Sequence, residues 1–302
     1  MSAPADRDVT ERGGTDRAAA AVRHHYDVGN DFYGLWLDGS RTYSCAMPDG
    51  DDDILDAAQE RKLRFHLDAI GADRARSVLD VGCGWGSVLE RLAAAGVPWA
   101  VGLTLSEEQA AHVRSRDLPG VEVRLEDWRH HEPEVPVDGI VSIGAFEHFA
   151  RPEDTTGEKV RLYREFFTRC RDWSTNDATL SLQTIAYGDM SRTDASAFMQ
   201  QEIFPHADLP TLAEITAAAE GVYEIRSLRN DRLHYAWTCE QWVRRLRARR
   251  DEAVELVGAD VVARYERYLR LSALGFRMGK LGLLRIVAQP LTGRHFARGR
   301  DR

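Results

Sequence analysis

The stretch LDVGCGWGS, residues 79–87, constrains the fold of this chain more than any other. It sets an acid, Asp80, two residues ahead of the alternating glycines Gly82, Gly84 and Gly86, between an apolar run and a helical pattern. Glycines let the backbone approach a ligand closely, and the helix beginning beyond them offers free N–H groups. The runs SVLDVGCG, PWAVGLTL, VEVRL, VDGIVSIGAF and ATLSLQTIAY read as strands. Between them lie helical stretches: SVLERLAAAG, closed by Gly96, then SEEQAAHVRSR with Ser106 as its N-cap, then KVRLYREFFTRCRDWS. Strands alternating with helices predict an α/β fold with a doubly wound, mostly parallel sheet.

The glycine turn narrows the ligand. A dinucleotide fingerprint would read GxGxxG, with an acid for the ribose about 20 residues further on. Here the glycines alternate, the acid precedes them, and the ribose position is Thr104 in GLTLSEEQ. This arrangement suits S-adenosylmethionine, whose sulfonium and amino groups are cationic and which has no pyrophosphate to cradle. Asp80 and the turn would hold its methionine part, because a carboxylate beside a positive ligand is favoured. Thr104 and Gln109 offer hydrogen bonds for the two ribose hydroxyls. Trp128, in LEDW after the third strand, offers a ring face for the adenine or a core residue.

A second anomaly lies in VSIGAFEHFA, residues 141–150, where Glu147 follows an apolar run that reads as a buried strand. An unpaired buried charge costs several kcal/mol, so such a group is paired, neutralised, or awaits a cation that arrives with the substrate. A pairing with a nearby arginine or His148 is the structural alternative.

Composition sets the outer limits. The chain has 302 residues, 43% of them apolar, enough for a full core. Its 40 basic and 48 acidic residues give a net charge of −8, which argues against a nucleic-acid partner. Cys45, Cys83, Cys170 and Cys239 are far apart with no CxxC pair, so neither a metal site nor a disulfide framework is expected, and a cytoplasmic location fits. No run approaches the ~18 apolar residues of a membrane span, leaving at most peripheral membrane contact.

Residues 1–17 are polar and read as a disordered tail, and 291–302 as a basic tail. Between them, 18–290 form one domain with lid helices over 18–67 and an acceptor-pocket insertion over about 188–216. In DILDAAQERKLRFHL, Ile54, Leu55, Ala58, Leu63 and Leu67 share a stripe, which predicts an amphipathic packing helix. His24 and His25 read as solvated helix residues, with Tyr26 placed where a lid would close, and WVRRLRARR as a charged helix face or a site for an anionic headgroup.

Taken together, HYDVGNDFYGLWLDGSRTYSCAMP, LDVGCGWG, GLTLSEEQ, IGAFEHF, EIFPHADLP and HYAWTCEQW resemble the cyclopropane fatty acid synthase and mycolic acid methyltransferase family, in family order from about His24 to Met278. The resemblance implies a class I methyltransferase (Rossmann-like) fold, bound S-adenosylmethionine, and methyl transfer to an alkene carbon of a hydrophobic acceptor. It carries cofactor contacts to Tyr43, Ser44, Gly82, Gly84, Thr104, Leu105, Gln109 and Trp128. In cyclopropane-forming members a bicarbonate beside the acceptor takes a proton, and its holders match Cys45, Ile143, Glu147 and Tyr235. One holder departs: where those enzymes read HTI this chain reads QTI, with Gln183 in place of the histidine. Gln183 keeps hydrogen-bonding capacity and cannot become cationic, which sets anion binding in doubt.

Methyl donation to an alkene leaves a carbocation, which Glu147 would stabilise, with ring faces from Phe146, Tyr187 and Tyr235 adding cation–π attraction. Cys45 reads as a packing or hydrogen-bonding group rather than a nucleophile, no base being in sight to activate it. Three rivals stand beside C-methylation of a lipidic or isoprenoid-like alkene: ring closure on an unsaturated acyl lipid, N-methylation of a small amine, and a non-catalytic cofactor-binding relative.

Overall fold

A computed structural model describes residues 29–191 and 207–291. The expected tails, His24, His25, Tyr26 and most of the expected insertion lie outside the described residues. One seven-stranded sheet runs in the order β3-β2-β1-β4-β5-β7-β6. Its strands are β1 (Ser77–Val81), β2 (Trp99–Thr104), β3 (Val121–Leu125), β4 (Val137–Ile143), β5 (Ser174–Tyr187), β6 (Tyr223–Asn230) and β7 (Leu281–Pro290). Strands β1 to β5 pair in parallel, and β7 runs antiparallel to both β5 and β6. The sequence pattern missed β7, because Gly282 and Arg285 interrupt its apolar run after a helix rich in arginine.

The helices are α1 (Asn30–Gly34), α2 (Leu55–Ala69), α3 (Ser87–Ala94), α4 (Glu107–Arg114), α5 (Thr156–Trp173), α6 (Leu212–Ala219), α7 (Arg232–Ala248), α8 (Arg250–Val257) and α9 (Ala259–Arg277). Their starts follow from side chains that satisfy free N–H groups: Ser106 caps α4, and reciprocal capping boxes Thr155/Glu158 and Thr211/Glu214 start α5 and α6. One apolar cluster packs Phe146, Tyr163, Phe166 and Phe167 against the sheet, and a second packs Leu63, Val88, Leu89 and Val113. A third joins Phe32, Tyr33 and Trp36 to Trp242, Tyr265 and Phe276. It is tied by a hydrogen bond of 2.8 Å between the Tyr33 and Tyr265 hydroxyls.

All five residues of β1 are buried, as expected of a strand covered on both faces. Because β1 lies between β2 and β4, the chain reverses its winding there, opening a crevice at the carboxyl ends of these strands. The glycine turn occupies that crevice. Gly82, Gly84 and Gly86 all have positive φ, at 84°, 56° and 82°. A Cβ on Gly82 would stand 2.5 Å from the Ala145 Cβ, and one on Gly86 would stand 2.7 Å from Val113 Cγ2. Gly82→Ala is therefore expected to lose about 2–4 kcal/mol, the sum of backbone strain and overpacking, read as a lower urea midpoint at unchanged m-value.

Candidate functional site

Asp80 lies one residue before the end of β1, almost fully buried. Its Oδ2 has no hydrogen-bond partner among the described residues, although nearly every buried oxygen in a folded protein has one. Burial pushes its carboxyl up to about 7, opposed by the Lys62 ammonium. Beside it, a Cβ on Gly84 would meet open space. An orphaned, buried anion next to an open glycine backbone is a fit for a ligand with a cationic methionine part.

The 42–46 segment folds over this crevice because α2 holds it. Gln59 Nε2 donates to the carbonyls of Ser44 at 2.9 Å and Thr42 at 3.2 Å, and Lys62 Nζ donates to Ser44 Oγ at 3.1 Å. Asp38 fixes the preceding turn by accepting from Thr42 N at 2.9 Å. Lys62 is fully buried, and burial lowers its ammonium to about 7. Tyr43 packs within 5.4 Å of Tyr33 and Trp36, centroid to centroid. Trp85, inside the glycine turn, donates to Asn30 Oδ1 at 2.7 Å and so ties the turn to α1.

At the end of β2, Thr104 donates to Gln109 Oε1 at 2.7 Å, which fixes the two side chains relative to each other, with half-buried Leu105 between them in sequence. Trp128 begins a short 3-10 turn and packs against Phe149 and Phe166, so most of its ring serves the core.

Glu147 sits in a second 3-10 turn just past β4, 4% exposed. Thr184 Oγ1 donates to Oε2 at 2.9 Å and Ile185 N to Oε1 at 3.5 Å. No described lysine, arginine or histidine pairs with it, so the structural alternative of an internal ion pair fails among the described residues. Burial pushes its carboxyl up to about 7 against these hydrogen bonds. A Cβ on Gly144 would lie 3.8 Å from Glu147 Oε1 and 4.0 Å from Ser44 Cβ, so the acid and the 42–46 segment converge on this turn.

Ile143 pairs with Gln183 across β4 and β5. Arg285 Nε donates to Gln183 Oε1 at 2.8 Å, and Arg285 Nη2 approaches Cys45 Sγ at 3.5 Å, bringing Gln183 and Cys45 to one cluster. Burial raises the Cys45 thiol to about 11, in accord with a packing role. Tyr235, on α7, stacks on Phe276 at 4.5 Å and 24°. Burial first, then neighbours that include Cys45 and Glu147, raise its phenol, so it stays protonated.

Two of the expected ring faces lie elsewhere. Phe146 is committed to the core, stacked on Tyr163 at 4.5 Å, because consecutive residues of a 3-10 turn point about a third of a turn apart. The Tyr187 hydroxyl donates to Asp208 Oδ1 at 2.7 Å, and Lys159 Nζ lies 5.9 Å from its ring centroid, so a cation already faces that ring.

The residues 14–286 match the family model described as mycolic acid cyclopropane synthetase. Cyclopropane mycolic acid synthase 1 of Mycobacterium tuberculosis is 35% identical over 289 residues, 89% of this chain and 96% of the relative. Cyclopropane mycolic acid synthase 2 of the same organism is 35% identical over 268 residues, 83% of this chain and 87% of the relative. The solved structure of mycolic acid cyclopropane synthase CmaA1 complexed with SAH and CTAB superimposes with a TM-score of 0.79 at 32% identity, covering 90% of this chain and 98% of that one.

The chain belongs to the mycolic acid cyclopropane synthetase family. It is an S-adenosylmethionine-dependent transferase with the class I methyltransferase fold, as the glycine turn and Asp80 imply. Four residues central to this family member's site escaped the sequence pattern. Gln59, Lys62 and His66 form a polar stripe at helical spacing on α2, and all three are buried, although the helix reads as plain packing. Arg285 is a lone charge in an apolar strand, the same signal that singled out Glu147. The arginines of WVRRLRARR mostly form surface ion pairs: Arg245 with Asp56, Arg247 and Arg250 with Glu266, and Arg249 with Glu252. That is the charged-face reading. Among the described residues no cluster of three or more His, Cys, Asp or Glu is arranged to hold a metal, and no helix is long and apolar enough to cross a membrane.

Asp80 and Lys62 each titrate near 7, so together they hold about one proton at neutral pH. A cationic ligand on Asp80 favours its carboxylate and disfavours the Lys62 ammonium. Cofactor binding is therefore expected to release a proton near pH 7 and to weaken, up to about tenfold per unit, as pH falls below 7. Calorimetry in buffers of different ionisation enthalpy reads the release, and Asp80→Asn should make the acid limb shallower, leaving the Lys62 part, and weaken binding about 10–100-fold.

Proposed function

We propose that this chain transfers the methyl group of S-adenosylmethionine to an alkene carbon of a lipidic or isoprenoid-like acceptor, with Glu147 stabilising the carbocation that results. The observation that carries the reading is the Glu147 carboxylate: buried, held by a hydroxyl and a backbone amide, and without a cation among the described residues. The cofactor supplies an electrophilic methyl group. Asp80, Gly82, Gly84, Gly86, Thr104, Leu105, Gln109 and Trp128 would hold it, with Tyr43 and Ser44 closing over it from the segment that α2 anchors.

When the alkene π electrons form the new carbon–carbon bond, the other alkene carbon is left electron-poor. A carboxylate about 4 Å away contributes roughly 4 kcal/mol at an effective dielectric near 20. Realised only in the transition state, that is worth about three decades of rate. Tyr235, stacked on Phe276, adds a ring face at the lid side. Proton loss then ends the reaction. If Glu147 takes the proton from a carbon next to the cation, the C–H electrons become a double bond and the product is a methylated alkene or a methylene compound.

Ring closure is the second reading, favoured by 35% identity to relatives named cyclopropane mycolic acid synthases. There the proton leaves the newly added methyl group and its electrons close the ring. In that reading Cys45, Ile143, Gln183 and Tyr235 would line the place where the proton leaves. Incubation with a trideuteromethyl cofactor and a panel of unsaturated lipids, prenyl diphosphates and amines separates the readings: a methylated alkene keeps all the label, and a cyclopropane loses one deuterium. Methylation of amines alone would overturn both.

Glu147 must be ionised to act, and its carboxyl sits near 7. Turnover is therefore expected to plateau above pH 7 and to fall about tenfold per unit below it. Glu147→Gln should lower kcat about 100–1000-fold and flatten that acid limb while leaving cofactor affinity within a few-fold. Parent-like turnover in this variant would remove Glu147 from the reaction.

A further inference from the structure

β7 sets Arg285 directly across from Gln183 in the antiparallel ladder, and Arg285 is fully buried. Its guanidinium is engaged on every side. Nε donates to Gln183 Oε1 at 2.8 Å, Nη1 to Asp231 Oδ2, and Nη2 to Ala46 O at 2.9 Å and Cys45 O at 3.3 Å. A guanidinium has only donors, so the atom of the Gln183 carboxamide that meets it is the oxygen. His66 strengthens this assignment. Its Nε2 lies 3.5 Å from the same oxygen while its Nδ1 pairs with Ser181 Oγ at 2.8 Å. Burial, and then the Lys62 and Arg285 charges, keep the imidazole neutral, and the network assigns its one proton to Nε2.

Turning the carboxamide over would press an NH2 group against two buried donors. Gln183 therefore keeps its nitrogen away from Arg285, and no described residue accepts from that nitrogen. The backbone places it beside the reacting crevice: Gln183 is level with Ile143 in register, and its carbonyl accepts from Gly144 N at 3.0 Å, at the turn that carries Glu147.

We propose that Arg285 is a positioning residue acting through Gln183: it claims the carboxamide oxygen, turns the uncharged amide N–H groups to an oxygen-bearing end of the acceptor, and pins the Cys45–Ala46 carbonyls against the same wall. The inference rests on the alkene-methylating activity proposed above. It gives the wall beside Cys45 a donor with no charge of its own, so Glu147 remains the group that answers positive charge on the acceptor.

Gln183→Glu tests this directly. A carboxylate still receives Arg285, so the fold and the 45–46 segment are kept, and the donor is replaced by a second oxygen. The variant is expected to melt at or above the parent temperature, to bind cofactor normally, and to raise the acceptor KM at least tenfold. Arg285→Met should raise the KM by a similar factor and speed hydrogen exchange at Cys45 and Ala46. Combined with Gln183→Glu it should add less than the product of the single effects, because both variants remove one interaction. Arg285→Lys should recover part of the loss. A Gln183→Glu enzyme with parent KM and kcat overturns the proposal, even if Arg285→Met fails to fold. Multiplicative effects of the two variants overturn it as well. A parent inactive on every alkene counts instead against the proposed activity, and the same variants are then read on whichever acceptor is methylated and by exchange at Cys45 and Ala46.

Discussion

A carboxylate removed from water raises the free energy of the folded chain, and the described residues place two at the carboxyl edge of one sheet, Asp80 opposed by the Lys62 ammonium and Glu147 with no described cation beside it. Among the described residues Asp80 leaves an oxygen with no partner, and Glu147 receives one hydroxyl and one distant amide. Each is pushed to about 7 by burial, so each is near the midpoint of ionisation at neutral pH. Such groups are costly to the fold and valuable to a site that must receive positive charge. The sheet makes the cost bearable: β1 and β4 are central strands whose ends cannot shift without breaking pairings on both sides.

Two of the buried cations, Arg285 and Lys62, are held in opposite ways. Arg285 has a carboxylate counterion and donates from every nitrogen, so it behaves as a structural clamp. Lys62 gives one hydrogen bond to Ser44 Oγ and is lowered to about 7 by burial, so it answers to charge arriving nearby. Between them on α2 stands neutral His66. The polar face of one helix thus joins the 42–46 segment, through Ser44, to the end of β5, through Gln183. A single rigid element supports both halves of the crevice.

How much of this was legible depended on whether a residue's signal had more than one physical source. Alternating glycines behind an acid at a strand end have few other uses, and the positive φ angles of Gly82, Gly84 and Gly86 bear out the turn. Glu147 stood out because an acid after an apolar run breaks a pattern. Gln59, Lys62 and His66 were hidden because a buried polar stripe and a solvated helix face have the same spacing. β7 was hidden because Arg285 and Gly282 disrupt the apolar run that would announce it, and the arginine is tolerated only through partners distant in sequence, Gln183, Asp231 and the 45–46 carbonyls. Phe146 misled because adjacency to Glu147 in sequence says nothing of direction within a 3-10 turn.

The relation between Glu147 and Gln183 also bears on how one fold can serve two outcomes. Both reactions pass through the same electron-poor carbon, and they diverge only in which C–H bond is broken. That choice depends on where a proton-accepting oxygen stands relative to the added methyl group and its neighbours. In this chain the buried wall around Gln183 holds a clamped carboxamide, a high thiol at Cys45 and a phenol at Tyr235 kept protonated by burial, none of which accepts a proton readily near neutral pH. Glu147, near 7, is the described group there with the basicity to do so. A site whose base is a fixed side chain takes the proton that its backbone places within reach. If Glu147 is that base, as proposed, the product is set by how the acceptor lies against the Glu147 turn.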